Sequence, residues 1–266
     1  MPAPNKRTPD SQQVPEDGWA RQHTPTIRPK GAPVFARPKR LALVVSAHPD
    51  DAEFTCGGLV DRLVAEGTRV VFYIATAGQR GRDTATHPDA EAFAALRAAE
   101  ARTGAGLLGA ELVLGRFVDG ECARRHDDLV EDVCAQVRYW KPDLVITADP
   151  YTRLYRQHPD HRAVGAATLE AVFPAASMTS YFPHQLQQDG YGPWNVPEML
   201  LVFSDRVDLI VELDEANVHA KTAALQAHHS QAGSHGPDTT QAQAVLAAAS
   251  THDQVRFGEP YVHVAF

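Results

Sequence analysis

Cysteine is scarce: the 266-residue chain has three, Cys56, Cys122 and Cys134, with no paired spacing. That excludes a disulfide framework and a cysteine metal site, and it fits a reducing, cytoplasmic setting. No apolar run approaches the ~18 residues that a membrane span needs, so no membrane partner is expected. The opening residues also lack the compact apolar core of a secretory signal. Positive charge is short, with 25 Lys and Arg against 33 Asp and Glu, a net of −8. This balance argues against a nucleic-acid partner.

Hydrophobic residues make up 44% of the chain, and the length suits one α/β domain with a substantial core. Residues 1–38, rich in Pro, Lys, Arg and Gln without an apolar period, read as a flexible or loosely docked N-terminal extension. Residues 39–266 form the folded domain. Residues 41–47 are a continuous apolar run, the signature of a buried parallel strand. A helix over 56–65, capped by Gly67, and a strand over 69–75 follow. A helix over 87–108, a strand over 110–117, a helix over 127–139, a strand over 142–148 and a helix over 159–173 continue the alternation. Such alternation with short joints builds βαβ units. The expected fold is single-domain, Rossmann-like α/β, a mostly parallel sheet of order 3-2-1-4-5 flanked by helices. The C-terminal part is irregular: strands over 199–203 and 208–213, helices over 215–229 and 239–249, and a last strand over 260–266.

The first strand runs into His48-Pro49-Asp50-Asp51-Ala52-Glu53. A His and two Asp at the carboxyl end of a buried strand stand where open α/β sheets place their ligands. One imidazole with one carboxylate suits zinc, and adjacent carboxylates diverge, so one can ligate while the other faces a substrate. Capping residues at a strand end would look the same for either Asp taken alone. A nucleotide-binding module is disfavoured, because the turn after this strand has no G-x-G-x-x-G loop. The second cluster, His158-Pro159-Asp160-His161, starts the helix after the fourth strand. His87-Pro88-Asp89 repeats the tripeptide but follows no strand, and reads as a cap. In the expected sheet order, strands one and four are neighbours, so the two clusters meet at one crevice although about a hundred residues separate them. At the end of strand two, Arg80 and Arg82 can bring positive charge to an anionic or hydroxylated substrate. A solvated basic turn would look alike. Arg97 and Glu100 share a helix face at i, i+3, and Asp119-Gly120 follows strand three.

The Ala-His-Pro-Asp-Asp-x-Glu run with His-Pro-Asp-His resembles the LmbE/PIG-L superfamily of N-acetylglucosaminyl de-N-acetylases. The members most similar are the deacetylases of bacillithiol and mycothiol synthesis. The resemblance runs from about Arg40 to Gln231 and takes in Thr76-x-Gly78, Arg97-x-x-Glu100, Asp119-Gly120 and Leu225-x-x-His228-x-Ser230-Gln231. It implies one zinc ion per chain on His48, Asp51 and His161, with Asp50 as general base. His158 then stabilises the oxyanion, best as an imidazolium, or protonates the leaving amine. Arg97 and Asp119 match sugar-contacting positions, and Tyr155 and Arg156 stand where some relatives carry a substrate-facing Tyr. Gln79 replaces the usual Glu. The implied partner is a small amino-sugar substrate, with malate as the favoured aglycone given Arg80 and Arg82, and a homo-oligomer is admitted. Amidase or deacetylase action on another acylated amino sugar (a mycothiol conjugate, an antibiotic or a chitooligosaccharide) and non-catalytic zinc binding are the alternatives.

Overall fold

Leu41–Ser46 (β2) has five residues buried and one half-buried, because helices cover the sheet on both faces. Its alternate residues enter different cores, as a period of two requires: Ala42 and Val44 join one apolar cluster, Leu41, Leu43 and Val45 the other. The computed structural model describes residues 24–152, 157–231 and 255–266. In chain order its strands are β1 (Thr26–Arg28), β2, β3 (Arg69–Thr76), β4 (Glu111–Phe117), β5 (Leu144–Ala148), β6 (Glu198–Val202), β7 (Leu209–Glu212) and β8 (Gly258–Ala265). The helices are α1 (Asp51–Ala65), α2 (Ala90–Leu107), α3 (His126–Trp140), α4 (Pro159–Glu170) and α5 (Glu215–Gln226). The first cluster takes Leu59 of α1, Ala105 of α2 and Ala224 of α5; the second takes Leu129 of α3 and Val164 of α4. Among the described residues no helix is long and apolar enough to cross a membrane.

The domain is built on one mixed sheet of eight strands, ordered β1-β7-β8-β6-β5-β2-β3-β4. The strands from β4 to β6 pair in parallel, whereas β8 runs antiparallel to both β6 and β7. Part of the stretch read as an extension is built into the domain. Thr26–Arg28 pairs with β7, and Val34 and Phe35 are buried. Three polar-flanked residues carry no periodic signal, but an open strand edge offers them partners. The rest of that stretch, residues 1–23, and the helix expected over 239–249 lie outside the described residues. His87-Pro88-Asp89 does end in a cap: Asp89 Oδ1 accepts from Glu91 N at 2.9 Å and Ala92 N at 3.1 Å.

Two local devices set the helices that reach the crevice. In α1 the helical path breaks at Cys56 (φ −140°, ψ 16°). The amides of Gly58 and Leu59 turn instead to the Glu259 carboxylate on β8, at 3.0 and 2.8 Å. That carboxylate is buried with Lys221 Nζ at 2.5 Å and the Tyr261 hydroxyl at 2.8 Å. In α4 the backbone at Gly165 lies so close to β5 that an added Cβ would stand 2.2 Å from the Ala148 carbonyl oxygen. Neither backbone can yield without moving the other element. Gly165→Ala is therefore expected to destabilise the fold by about 3 kcal/mol, the upper part of the usual overpacking range. An unchanged urea midpoint would show that α4 is free to lift.

Candidate active site

After β2 the chain turns through His48-Pro49-Asp50 into α1. Asp50 takes φ 93°, a left-handed conformation that Asp tolerates better than most residues. Asp51 Oδ2 accepts from His48 N at 2.8 Å, and Thr76 at the end of β3 donates from both N and Oγ1 to the Ala47 carbonyl, at 3.0 and 2.9 Å. Because β5 pairs with β2, this turn and the start of α4 open on one crevice at the carboxyl ends of the strands. A cavity of about 320 Å³ lies there, at the small end of small-molecule sites.

The two histidine motifs meet in it. His48 Nδ1 lies 3.3 Å from His161 Nε2 and 3.5 Å from Asp51 Oδ2, and His161 Nε2 lies 3.1 Å from Asp51 Oδ1. One donor atom from each residue falls within 4.8 Å of the others, close enough to share a metal ion. The far nitrogen of His48, Nε2, faces Asp119 Oδ1 at 3.2 Å and Asp160 Oδ2 at 3.3 Å. A proton on Nε2 leaves the Nδ1 lone pair toward Asp51 and His161, as in carboxylate–histidine–metal triads. Burial works against charge on His48, but Asp119, Asp160 and Asp51 outweigh it and carry the imidazole pKa up to about 12. Against burial, the charges and hydrogen bonds of His161 and His48 hold Asp51 well below the usual carboxylate range. Asp119 and Asp160 are likewise lowered against burial, chiefly by His48. The cluster is thus made for positive charge, and two imidazoles with one carboxylate suit zinc. His48, His158 and Asp160 form a second candidate group. It fits less well, because it needs the nitrogen whose proton two carboxylates share. Asp160 also already accepts from Gly120 N at 2.6 Å and Cys122 N at 3.2 Å.

Asp50 stands outside the donor cluster but lines the same cavity. Its Oδ2 accepts from Arg97 Nη2 at 3.0 Å, and the same guanidinium donates to the carbonyls of Pro49 at 2.7 Å and Gly78 at 2.8 Å. A Cβ at Gly78 (φ 63°) would fall 2.0 Å from Arg97 Nη1, so only glycine admits the arginine. Arg97, buried and committed to these three oxygens, braces the turn. His158 caps α4, its Nδ1 accepting from Asp160 N at 3.2 Å. The proton of the neutral ring therefore sits on Nε2. Burial first, then the charge of His48, lowers the His158 pKa, which disfavours the imidazolium expected there.

Residues 43–172 match the family described as PIG-L: GlcNAc-PI de-N-acetylase. Over this stretch the chain is similar to the PIG-L family. A 1D-myo-inositol 2-acetamido-2-deoxy-alpha-D-glucopyranoside deacetylase of Rhodococcus erythropolis is 32% identical over 203 residues, covering 65% of this chain and 64% of that protein. The chain thus spans slightly less than two thirds of that relative. A probable N-acetyl-alpha-D-glucosaminyl L-malate deacetylase 2 of Bacillus cereus is 31% identical over 138 residues, 50% of this chain and 61% of the relative. Among solved structures, the N,N'-diacetylchitobiose deacetylase of Pyrococcus horikoshii superposes with a TM-score of 0.75 at 25% identity, over 85% of this chain and 84% of the other.

The remaining residues singled out from the sequence separate. Arg80 lines the cavity and donates from its backbone N to Asp119 Oδ2 at 2.8 Å, while its guanidinium pairs with Glu121. Arg82 does not line it, because Nη1 turns back to the Gln79 carbonyl at 2.8 Å. Tyr155 and Arg156 lie outside the described residues. Asp119, buried between His48 and Arg80, serves the histidine directly.

Sequence reasoning passed over Asp160, whose position inside the His-Pro-Asp-His motif was the available signal. It also gave no role to Glu53 and His228, which meet at 3.3 Å with both side chains fully buried. Beside them Ser230 donates from N and Oγ to the Glu100 carboxylate at 2.8 and 2.6 Å, bringing Gln231 to the rim of the cavity. Burial opposes charge on His228, but Glu53, aided by Asp50, raises its pKa above the ordinary value. Stability from this pair is then full below the unfolded pKa of about 6.5 and fades as pH rises through the higher folded value. Glu53→Gln is expected to cost about 3 kcal/mol at pH 6, and less in alkali. Equal losses in thermal midpoint at pH 6 and pH 9 would show that His228 does not titrate in the fold.

Proposed function

We propose that this chain is a zinc-dependent N-deacetylase that removes the acetyl group from an N-acetylglucosamine-type glycoside. The observation that carries the reading is a three-donor cluster, His48, Asp51 and His161, with a separate carboxylate, Asp50, on the same cavity. Three protein donors leave a position open, as catalytic sites do, and a storage site has no use for the extra carboxylate. When bound, the ion supplies Lewis acidity, which polarises a carbonyl and makes water a nucleophile near neutral pH.

The side chains do the remaining work. Asp50, steadied by Arg97, takes the proton of the attacking water as general base. His158 donates from Nε2 to the acyl oxygen as charge develops on it. Asp119 and Asp160 hold the far nitrogen of His48 and so aim its lone pair. As the C–N bond breaks, the proton gained by Asp50 passes to the leaving nitrogen, giving acetate and a free amino sugar.

The favoured aglycone changes from anionic to neutral. Beside the family resemblance, the case for malate rested on Arg80 and Arg82, yet Arg80 is paired with Glu121 and Arg82 is turned away. The other lining arginine, Arg97, is paired with Asp50. Among the described residues the cavity has no uncompensated arginine to meet a carboxylate. Acetate release from a panel of N-acetylglucosamine glycosides tests both levels. Neutral glycosides are expected to exceed anionic ones in kcat/KM by roughly tenfold or more, since an unmatched like charge at a contact costs several kcal/mol. Faster turnover of the malate glycoside would restore the anionic aglycone, and no acetate from any member would remove the deacetylase reading.

A further inference from the structure

The two histidines of the donor cluster are held differently. His48 has its far nitrogen fixed by Asp119 and Asp160. The Nδ1 of His161 has no hydrogen-bond partner among the described residues, since its contacts are made through Nε2. What lies against His161 is a ring. Phe203 stacks on its imidazole with centroids 5.1 Å apart and planes 6° from parallel. On α1, Phe54 stands 6.2 Å from Phe203 at 31°.

Phe203 reaches that place at a conformational cost. It follows the last residue of β6, Val202, and takes φ 59°. A bulky side chain rarely adopts the left-handed region, and it persists there only where the surroundings over-determine it. They do so here. Asp149, buried at the end of β5, donates from N to the Val202 carbonyl at 2.8 Å. Its Oδ2 accepts from Ser204 Oγ at 2.6 Å and Arg206 Nη2 at 3.1 Å. The chain is thus clamped on both sides of Phe203, and the strained turn faces the one donor ring that lacks a polar brace.

We propose that Phe203 is a positioning residue for His161, fixing the imidazole plane for an ion held by His48, Asp51 and His161. The inference rests on the metal site proposed above. The lone pair of a ligating nitrogen lies in the ring plane, so a ring stacked flat on the imidazole leaves Nε2 aimed along one plane while blocking rotation out of it. Stacked aromatic pairs at this separation are attractive, and supports of metal ligands matter nearly as much as the ligands.

The test is zinc affinity by chelator competition on the full chain, with the absorption spectrum of the cobalt-loaded protein as a reading of ligand geometry. Phe203→Gly suits the left-handed backbone and removes the ring, Phe203→Leu keeps apolar bulk without a plane, and Phe203→Tyr restores the ring. Zinc binding should weaken about 10- to 100-fold in the Gly and Leu variants, the usual worth of a ligand's support, with an altered cobalt spectrum. The Tyr variant should bind like wild type. Wild-type affinity in the Leu variant, or a Tyr variant as weak as Gly, overturns the proposal. A wild type that binds no zinc overturns it together with the metal site. A wild type that binds zinc but releases no acetate overturns the reaction alone.

Discussion

Asp50→Asn is expected to hold one divalent ion per chain and yet lose a factor of roughly 10² or more in kcat, the usual worth of a general base. The substitution is clean. Asn tolerates the left-handed φ of 93° as Asp does, and its amide oxygen can still accept from Arg97. What it removes is a basic oxygen beside the cluster. His48→Ala and His161→Ala should behave in the opposite way, losing the ion because two remaining donors compete poorly with water. Metal analysis beside acetate release separates the cases. Should Asp50→Asn lose the ion while Asp51→Asn keeps it, the two carboxylates have exchanged roles.

His158→Ala should likewise keep its ion and lose activity by about 10² to 10³, the worth of a donor to the developing oxyanion. The loss of the α4 cap adds a stability cost of about 1 kcal/mol, which a thermal midpoint reads independently of catalysis. Because burial and the charge of His48 lower the His158 pKa, wild-type activity should not fall through its protonation until pH drops below about 6.5. Protonation at Nδ1 would also set an N–H against the Asp160 N–H, so the acid limb should carry a loss of the cap. His161→Ala should bind zinc weakly and recover only in part at high added zinc. If the ion leaves with His158 and stays with His161, the assignment is exchanged and the oxyanion needs another donor.

The parts of this molecule that sequence makes legible are those set by local pattern. The apolar runs that became β2, β3 and β5 are long enough to declare a strand, and both histidine motifs sit where short loops leave strand ends. Asp89 was readable as a cap because capping is a three-residue affair. The rest depends on partners far along the chain. β1 is only Thr26–Arg28 and exists through its pairing with β7. The antiparallel β8 has a strand-like composition, but nothing local places it between β6 and β7. Asp160 reads as one more first-turn acid until Gly120 and Cys122 arrive from another loop to donate to it. Arg82 and Arg80 are near-neighbours with like charge, and only Glu121 and the Gln79 carbonyl decide which faces the cavity. Phe203 carries no signal at all, since its left-handed turn is imposed by Asp149 from the neighbouring strand end.

The position of β8 has a bearing on when the protein becomes competent. Among the described residues β7 and β1 join the rest of the sheet only through β8, and Glu259 on β8 accepts from the Gly58 and Leu59 amides just past the break in α1. On a ribosome delivering the chain from its N-terminus, the strands from β2 to β6 and the two histidine motifs emerge well before Glu259 does. Until β8 is made, the amides of Gly58 and Leu59 have no Glu259 carboxylate to donate to. Sheet closure through so distant a contact is slow in principle, because the loop must close before the contact rewards it. A nascent chain stalled short of residue 258 would carry every proposed metal donor and still present them on an unfinished frame.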